Sequence, residues 1–298
     1  MENPILDILA LGTCNVDILM NVPKFSVADD EVDIENLNVT LGGSAANFAV
    51  NVSRLGLNSG IMARIGKDHY GRYIASEFKR EEVNTERLVF IDEETGMAFI
   101  AIEPDGERSI YTFMGANSKF QLERDDINLI KNSEILHITG MYIEVVEEAS
   151  KHANILSLNP GTLLSSYGLN ALEKILKRTN ILFLNKKEVT LLTGKGCNEG
   201  AELLVEKGVP LVVVTLGKDG SKVYSEDGQI YYPSNELNVL DTTGAGDSFA
   251  AGFNTAFFNK KELKECLKQG NKLASVCVTK LGALDIPNLI LKKWNILI

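Results

Sequence analysis

Residues 241–253, Asp-Thr-Thr-Gly-Ala-Gly-Asp-Ser-Phe-Ala-Ala-Gly-Phe, combine two carboxylates with a small, flexible turn that leads into an apolar helix. Gly244, Ala245 and Gly246 leave the backbone uncovered, and a helix that begins at about Asp247 presents unpaired N–H groups to whatever occupies the turn. The Asp247 carboxylate stands beside this predicted anion hole. A hydroxyl held there loses its proton to the carboxylate while the hole steadies the charge of a transferring group. The stretch therefore predicts group transfer to a hydroxyl.

A purely structural role is the alternative interpretation of the same residues. Aspartate is among the best residues at a helix N-cap, and glycine is common in the turn before a helix. The spacing of Asp247 and its glycines does not by itself decide between a cap and a site.

Polar residues also follow several predicted strands at the point where each strand ends. In open α/β sheets, ligands bind outside the carboxyl ends of the strands, so these side chains are expected to face one crevice. They are Asn15, Asp17, Asn185, Glu188, Thr215, Gly217 and Asp247. Asn185 as an N-cap with Glu188 three residues later also fits a capping box, and that interpretation stays open beside the functional one.

The elements that must position these residues follow an α/β pattern. From about residue 128 onward, strand and helix signals alternate with short connections, which predicts a parallel sheet with helices on both faces. Residues 22–40, 88–91, 96–103 and 109–114 instead read as half-exposed antiparallel strands, with a hairpin turn at 104–106. We expect them to form one small sheet on a larger α/β body. No repeat or Pro/Ser-rich linker supports a division into two domains.

Composition limits the class of protein. The 298 residues are 45% hydrophobic, and 40 acidic against 30 basic residues give a net charge of −10, which argues against nucleic acid or an anionic membrane as a partner. No apolar run is long enough for a spanning helix, and the N-terminus does not resemble a secretory signal. The four cysteines are far apart and the three histidines are scattered, so a disulfide framework or a zinc site is not predicted. We expect a reduced, cytoplasmic protein.

Two familiar nucleotide-binding motifs are missing. Gly42-Gly43 precedes a helix-like run, yet the dinucleotide motif Gly-x-Gly-x-x-Gly is not spelled there and no strand is predicted immediately before it. The Walker A pattern is absent. The sequence therefore favours neither a Rossmann dehydrogenase nor a P-loop kinase.

Two separated stretches resemble the two signatures of the ribokinase family, also called the pfkB family of carbohydrate and nucleoside kinases. Residues 42–49, Gly-Gly-Ser-Ala-Ala-Asn-Phe-Ala, with Gly56 and Gly66, are similar to the first, and residues 241–247 with Ala251-Gly252 to the second. Smaller features agree: Asn15-Val-Asp17, Thr95-Gly96, Gly115-Ala-Asn117, Asn159-Pro160, Asn185-x-x-Glu188, Thr215-x-Gly217-x-x-Gly220 and Asn271. The resemblance runs from about residue 6 to 285.

The resemblance implies a ribokinase-like three-layer α/β/α fold with a mostly parallel central sheet and a small β-sheet lid. Residues 1–298 would form a single kinase domain, with the lid built from about 18–40 and 88–115. It also implies transfer of the γ-phosphoryl group of ATP to a substrate hydroxyl with Mg²⁺. A monovalent cation such as K⁺, near Asp241 and the loop 280–287, is implied in the same way.

The resemblance further implies a role for each matching residue. Asp247 is the expected catalytic base, and Gly244, Ala245 and Gly246 form the expected anion hole. The expected substrate contacts are Asn15, Asp17, Gly42, Gly43, Asn47 and Asp247. The expected ATP contacts are Asn185, Thr215, Gly217, Gly220, Gly244, Gly246 and Asn271. Glu188, with Asn185, is expected to organise Mg²⁺ through water.

The expected reaction is phosphorylation of a primary hydroxyl of a small, ribose-like sugar; a nucleoside kinase of the same family is the alternative. His137-Ile-Thr-Gly140 stands where ribokinases of the family usually place a glutamate, which leaves room for a base or a larger sugar. Phe99, Phe113 and Met114 are the lid residues that could stack on a base. A different class, a sugar- or nucleotide-binding regulatory protein without catalysis, conflicts with the intact Asp247. The exposed lid sheet also suggests a homodimer.

Overall fold

The computed structural model describes residues 6–234, 241–279 and 282–284. Its strands are β1 Leu6–Gly12, β2 Asn15–Asn21, β3 Asn36–Gly42, β4 Ser59–Gly66, β5 Asn84–Ile91, β6 Gly96–Ile102, β7 Arg108–Phe113, β8 Ser133–Thr139, β9 Ile155–Asn159, β10 Ile181–Asn185, β11 Leu211–Thr215, β12 Ser221–Ser225 and β13 Gly228–Tyr232. Its helices are α1 Ser44–Arg54, α2 His69–Arg80, α3 Arg124–Lys131, α4 Ile143–Ser150, α5 Gly161–Ser165, α6 Gly168–Leu176, α7 Lys186–Thr193, α8 Cys197–Glu206, α9 Ala245–Phe258 and α10 Leu263–Cys277.

The large sheet has nine strands in the order β13-β12-β11-β10-β9-β8-β1-β4-β5. All neighbours from β11 to β5 pair in parallel, while β12 and β13 are antiparallel. Residues on both sides of a central strand are apolar: Ile8 and Ala10 enter one core, and Leu9 and Leu11 enter the other. The predicted parallel sheet is confirmed.

Helices cover both faces of this sheet. One core joins α1, α9 and α10 through residues such as Phe48 and Phe253, and the other joins α4, α6 and α8 through residues such as Val146 and Leu172. The three-layer α/β/α architecture is therefore confirmed. Within residues 6–234, 241–279 and 282–284, no helix combines the length and the apolar character needed to cross a membrane.

The small sheet, which we call the lid, has four strands in the order β3-β2-β6-β7. It joins the two predicted excursions, and the hairpin at 104–106 connects β6 to β7, as expected. The prediction that 88–91 belongs to the lid is wrong, because β5 pairs with β4 at the edge of the large sheet. An edge strand is half-exposed, so its pattern resembles that of a lid strand. Within the predicted strand region 22–40, only residues 36–40, at the start of β3, belong to a strand.

The pairing register assigns the lid side chains to two faces. Asp17 of β2 is opposite Ala98 of β6, and Ala98 is opposite Thr112 of β7. Four residues after Ala98 on β6, Ile102 is opposite Arg108 of β7. Because successive side chains of a strand alternate between faces, Asp17 and Arg108 share one face. We call this the inner face of the lid, and the opposite one the outer face.

Candidate active site

The second glycine signature forms a tight turn at the start of α9. The helix begins at Ala245, two residues earlier than predicted, because Gly244 adopts the left-handed conformation (φ 72°) as its N-cap and its carbonyl accepts the N–H of Ser248 at 2.8 Å. Within the described part of the chain, the N–H groups of Gly246 and Asp247 have no acceptor. N–H groups without an acceptor at a helix N-terminus are suited to bind an anion, which is the role that the sequence predicts for this turn. We call residues 241–247 the anion turn.

Asp247 is not the N-cap of α9, so the capping interpretation of this residue is wrong. It lies in the first turn of the helix and is buried, and its Oδ2 accepts a hydrogen bond from Asn47 Nδ2 at 3.0 Å. Burial raises the pKa of Asp247 to about 6, although hydrogen bonds from Asn47 and Ser44 oppose the shift. A carboxylate with a pKa near neutrality is suited to accept a proton from a hydroxyl.

Asn47 is held by its own neighbours on α1. Asn51 Nδ2 donates to the Asn47 carbonyl at 2.9 Å and to Ser248 Oγ at 3.2 Å, which ties α1 to α9 below the site. The Oδ1 atom of Asn47 is buried and accepts no hydrogen bond from the described residues. A buried, unsatisfied acceptor beside Asp247 is suited to a donor supplied by a ligand.

Asp17 reaches the same region from β2 on the lid. A Cβ atom at Gly42 would lie 2.0 Å from the Asp17 carboxyl carbon, so only glycine at this position leaves room for the carboxylate. Gly43 follows with φ 93°, and a Cβ there would lie 2.6 Å from the Thr13 carbonyl oxygen. The first glycine signature therefore lets the start of α1 approach the lid strand closely. β3 does run directly into these glycines, contrary to the prediction that no strand precedes them.

The charges of Asp241 and Asp247 act on the carboxyl group of Asp17. Burial is the largest cause, followed by the charges of Asp247 and then Asp241, and together they raise the pKa of Asp17 to about 7. The site therefore concentrates acidic groups that gain from hydroxyl donors, because each hydrogen bond to a carboxylate stabilises its charged form.

Asn15 lies at the hinge between the lid and the body. Its Oδ1 accepts from Asn117 Nδ2 at 2.8 Å, and Asn117 Oδ1 accepts the N–H of Cys14 at 2.9 Å. Asn117 was not predicted as a site residue, although the motif Gly115-Ala-Asn117 belonged to the family resemblance. In the structure, Asn117 therefore fixes the orientation of the Asn15 side chain.

A cavity of about 610 Å³ lies on the other side of the anion turn. It brings together five residues predicted to contact ATP: Thr215, Gly217, Gly220, Gly246 and Asn271. Thr242 and Ala245 of the anion turn also line it. This volume is in the usual range for small-molecule sites, which is about 300–1,000 Å³.

The remaining predicted ATP contacts lie outside the lining of this cavity. Asn185 pairs in register with Thr215, so it ends its strand at the same edge of the sheet. Gly244 faces the other way, since a Cβ there would lie 2.3 Å from Ala283 Cβ and 3.4 Å from Asn47 Nδ2. The structure therefore places Gly244 between the cavity and the Asp247 region.

Asn185 and Glu188 form a reciprocal capping box. Glu188 N donates to Asn185 Oδ1 and Asn185 N donates to Glu188 Oε2, both at 2.9 Å, so the capping interpretation is confirmed. Burial raises the pKa of Glu188 even though hydrogen bonds from Asn185 oppose the shift. Nowhere in residues 6–234, 241–279 and 282–284 do three or more His, Cys, Asp or Glu side chains form a cluster suited to a metal ion.

Three other residues singled out by the sequence do not face the cleft. His137 is fully buried in the large sheet, where its ring stacks on Phe48 with centroids 3.8 Å apart, and burial lowers its pKa to about 3. Phe99 and Phe113 lie on the outer face of the lid, as their register with Tyr111 and Met97 requires. The carbonyl of Met114, just beyond β7, accepts from Asn117 Nδ2.

Sequence reasoning missed Arg108, which lies at the start of β7. Its guanidinium donates to Asp241 Oδ1 at 3.0 Å, to Thr242 Oγ1 at 2.6 Å and to Thr243 Oγ1. No motif includes it, so only the three-dimensional arrangement reveals the contact. The predicted cation loop 280–287 lies largely outside the described residues, of which only 282–284 are present.

Comparison with known proteins agrees with this geometry. The family described as pfkB family carbohydrate kinase matches residues 6–289. A nucleoside kinase of Methanocaldococcus jannaschii is 32% identical over 284 residues, which cover 92% of this chain and 91% of that protein. A ribokinase of Haemophilus influenzae is 29% identical over 289 residues, covering 92% of each chain.

Among solved structures, ribokinase of Thermotoga maritima has a TM-score of 0.89 at 28% identity, and the match covers 97% of this chain and 99% of that one. The match extends over both the α/β/α body and the lid. The chain therefore belongs to the pfkB family of carbohydrate kinases, and it is a phosphotransferase that acts on an alcohol group of a sugar or nucleoside.

Proposed function

We propose that this protein transfers the γ-phosphoryl group of ATP to a primary hydroxyl of a small sugar. The observation that carries the proposal is the position of the anion turn. Gly246 lines the 610 Å³ cavity on one side of the turn, while the next residue, Asp247, hydrogen-bonds Asn47 on the other. A phosphoryl group bound at the N–H groups of Gly246 and Asp247 would lie between a nucleotide and a sugar hydroxyl.

Substrate binding rests on Asp17 and Asn47. The Asp17 carboxylate can accept hydrogen bonds from two neighbouring hydroxyls, and Asn47 Oδ1 offers a buried acceptor without a partner among the described residues. Fixing these hydroxyls orients the remaining primary hydroxyl toward Asp247. Such positioning is the main contribution that a protein makes to phosphoryl transfer.

The chemical step needs one proton transfer and one displacement. The hydroxyl oxygen forms a bond to the γ-phosphorus while the bond from that phosphorus to the β,γ-bridging oxygen breaks, and ADP leaves. Asp247 Oδ1 or Oδ2 takes the hydroxyl proton as the new bond forms. The N–H groups of Gly246 and Asp247 donate to the oxygens of the transferring group, where negative charge is concentrated.

The residues present fit a Mg²⁺ ion that arrives with the nucleotide. Mg²⁺ commonly keeps several waters and binds one or two carboxylates together with substrate phosphates, so it needs no cluster of protein ligands. Glu188, buried at the carboxyl edge of the sheet and already bonded to Asn185, would hold a water of that ion, and Asn185 would keep its carboxylate in place. When bound, the ion supplies positive charge to the phosphates.

The lid favours a sugar over a nucleoside as the substrate. The aromatic residues Phe99, Tyr111 and Phe113 are on the outer face, whereas Ala98, Ile100 and Thr112 share the inner face with Asp17. No aromatic residue of these three lid strands is therefore positioned to stack on a base. The alternative, a nucleoside kinase, is supported by the 32% identity to the M. jannaschii enzyme.

The substrate is tested with a panel of ribose, fructose, adenosine, inosine and cytidine, each incubated with MgATP and scored for ADP release. Phosphorylation of a sugar, with the product identified as a primary phosphate by its ³¹P–¹H coupling, supports the proposal. Turnover of a nucleoside and none of ribose or fructose would establish the alternative. The Asp247→Asn variant in the same panel measures release that does not depend on the site.

We also infer that a second copy of the chain covers the outer face of the lid. On that face, Leu37 and Val39 of the edge strand β3 are 52% and 39% exposed, and Tyr111 and Phe113 of the opposite edge strand β7 are 70% and 42% exposed. Such an apolar face is unusual on a monomer surface and suits a two-fold interface. Sedimentation equilibrium should give a dimer for the wild type and a monomer for the double variant Tyr111→Ser, Phe113→Ser. A monomeric wild type contradicts the inference.

A further inference from the structure

One arginine of the lid is bonded to the anion turn. Arg108 is the first residue of β7, directly after the hairpin at the tip of the lid, and its guanidinium donates to Asp241, Thr242 and Thr243. These three residues immediately precede Gly244, the N-cap of α9. We call these hydrogen bonds the Arg108 latch.

The acceptor side of the latch is a fixed point of the anion turn. Asp241 Oδ1 accepts the N–H of Thr243 at 2.8 Å and its hydroxyl at 2.7 Å, and Asp241 Oδ2 accepts the N–H of Gly282 at 2.9 Å. The Asp241 side chain is only 2% exposed, while that of Arg108 is 24% exposed. A buried carboxylate bonded in this way is held in one position, and a guanidinium adds a charge-assisted bond to it.

The latch exists only while the lid is closed. Asp17 and Asp247 are 6% and 8% exposed, so a sugar cannot reach them unless the lid moves away from the body. Asp17 belongs to β2 and Arg108 to β7, and the two strands are parts of the same small sheet. Opening the lid therefore removes Arg108 from Asp241, Thr242 and Thr243, and a sugar that binds Asp17 favours closure and restores these bonds.

We propose that Arg108 is a positioning residue of the phosphoryl transfer, because the latch sets the anion turn in its working geometry while the lid is closed. The proposal rests on the proposed function. Beyond that function, it states that the closed lid acts on the transfer step itself, in addition to keeping water out of the site. Closure over a bound sugar fixes Thr242 and Thr243. This orients the N–H groups of Gly246 and Asp247, which follow them by four residues in the chain.

The first test compares Arg108→Met with Arg80→Met. Arg80 forms an ion pair with Glu77 at an N–O distance of 2.6 Å. This pair does not involve the anion turn, so the Arg80→Met variant controls for the loss of one arginine. For Arg108→Met we expect kcat to fall about 10- to 100-fold, since small displacements of a reacting group have effects of that size. The Kd for ATP should stay within threefold of the wild-type value, as for Arg80→Met.

Two further variants separate positioning from folding. Arg108→Lys keeps a charged donor and should retain more of kcat than Arg108→Met. Added millimolar guanidinium should raise the kcat of Arg108→Ala and should leave the kcat of the wild type unchanged. If Arg108→Met does not fold, Arg108→Lys and Arg108→Ala provide the same comparison. If Arg108→Met has the same kcat as Arg80→Met, the proposal is overturned. It is also overturned if the Kd for ATP of Arg108→Met rises in parallel with the loss of kcat, because Arg108 would then bind the nucleotide.

Amide hydrogen exchange tests the latch without any turnover. In the ligand-free protein, exchange in the segment 241–247 should be faster in Arg108→Met than in the wild type and in Arg80→Met, because the closed lid of the Arg108→Met variant makes no bond to the turn. Equal exchange in the three proteins contradicts the latch. This outcome is independent of the substrate panel, so an enzyme that turns over none of the tested alcohols refutes the proposed function and leaves the latch result standing.

Discussion

Asn47 Nδ2 donates to Asp247 Oδ2 at 3.0 Å, joining two residues that are 200 positions apart in the chain. The contact brings the two glycine signatures together, since Asn47 is in α1 after the first and Asp247 in α9 within the second. It also orients the proposed base, because a carboxylate oxygen that accepts from Asn47 leaves the other oxygen available to a substrate hydroxyl.

Replacing Asp247 with asparagine should abolish most phosphoryl transfer. An amide keeps the shape and can still accept from Asn47 but cannot take a proton, so we expect kcat to fall by about 10²–10⁴. The Kd for ATP should change by less than threefold, measured by calorimetry without sugar. Asp227→Asn, on an exposed hairpin, is the matched control and should behave as the wild type. An Asp247→Asn enzyme that keeps most of its kcat rejects the base assignment.

Replacing Asp17 with alanine should weaken sugar binding and leave nucleotide binding unchanged. Hydrogen bonds to a charged acceptor contribute about 1.5–3 kcal/mol each, so the loss of two predicts a rise in the sugar KM of about 10²–10⁴. The ATP cavity does not include Asp17, and the Kd for ATP should therefore stay within threefold. Weakened ATP binding with an unchanged sugar KM means that the substrate pocket lies elsewhere.

The raised pKa of Asp17 predicts a pH dependence of stability. Its folded-state pKa of about 7 lies above the ordinary value of 3.8, so between these two pH values the folded chain holds a proton that the unfolded chain releases. This contribution to the free energy of unfolding is present in full below pH 4 and is lost as pH rises through 7. Asp17→Asn removes it, so the variant should be more stable than the wild type at pH 8, by on the order of 2 kcal/mol.

Urea unfolding of the ligand-free proteins at pH 4 and pH 8 measures this difference. We expect the stabilisation by Asp17→Asn to be large at pH 8 and close to zero at pH 4, with Asp227→Asn as the control. A gain that is equal at both pH values contradicts the pKa shift, because it would show a change in packing instead.

Much of the fold and of the site could be predicted from local sequence. The βα alternation predicted the parallel sheet, and Gly244, Ala245 and Gly246 predicted a turn that leads into a helix, which the structure contains. These features depend on periodicity and on backbone conformation, which neighbouring residues determine. The edge strand β5 was misassigned because half-exposure looks the same on a lid and at a sheet edge.

Features that depend on distant contacts could not be predicted. Arg108 is bonded to residues more than 130 positions away, and no pattern around β7 distinguishes it from an ordinary surface arginine. The face of Phe99 and Phe113 depends on register, and a shift by one residue would have turned both rings into the cleft. Sequence reasoning therefore named candidate residues for the site but could not tell which of them the fold brings together.

Gly246 and Gly244 should respond differently to alanine although they are two residues apart. A Cβ at Gly246 meets no atom within 4 Å, and this position lines the nucleotide cavity in the first turn of α9. Gly246→Ala should fold, with a free energy of unfolding equal to the wild type or about 0.5–1 kcal/mol higher because alanine favours the helix. The added methyl group occupies the space next to an exposed N–H, so the Kd for ATP should rise at least tenfold.

Gly244→Ala should instead lose stability, because this residue has φ 72° and its Cβ would lie 2.3 Å from Ala283 Cβ. We expect a decrease of more than about 1 kcal/mol in the free energy of unfolding from the backbone conformation alone. Urea unfolding and ATP calorimetry on both variants separate the two glycines. Normal ATP affinity in a folded Gly246→Ala protein would show that the phosphates do not approach the anion turn at Gly246. The proposed transfer of the phosphoryl group from the cavity to a hydroxyl beside Asp247 would then be refuted.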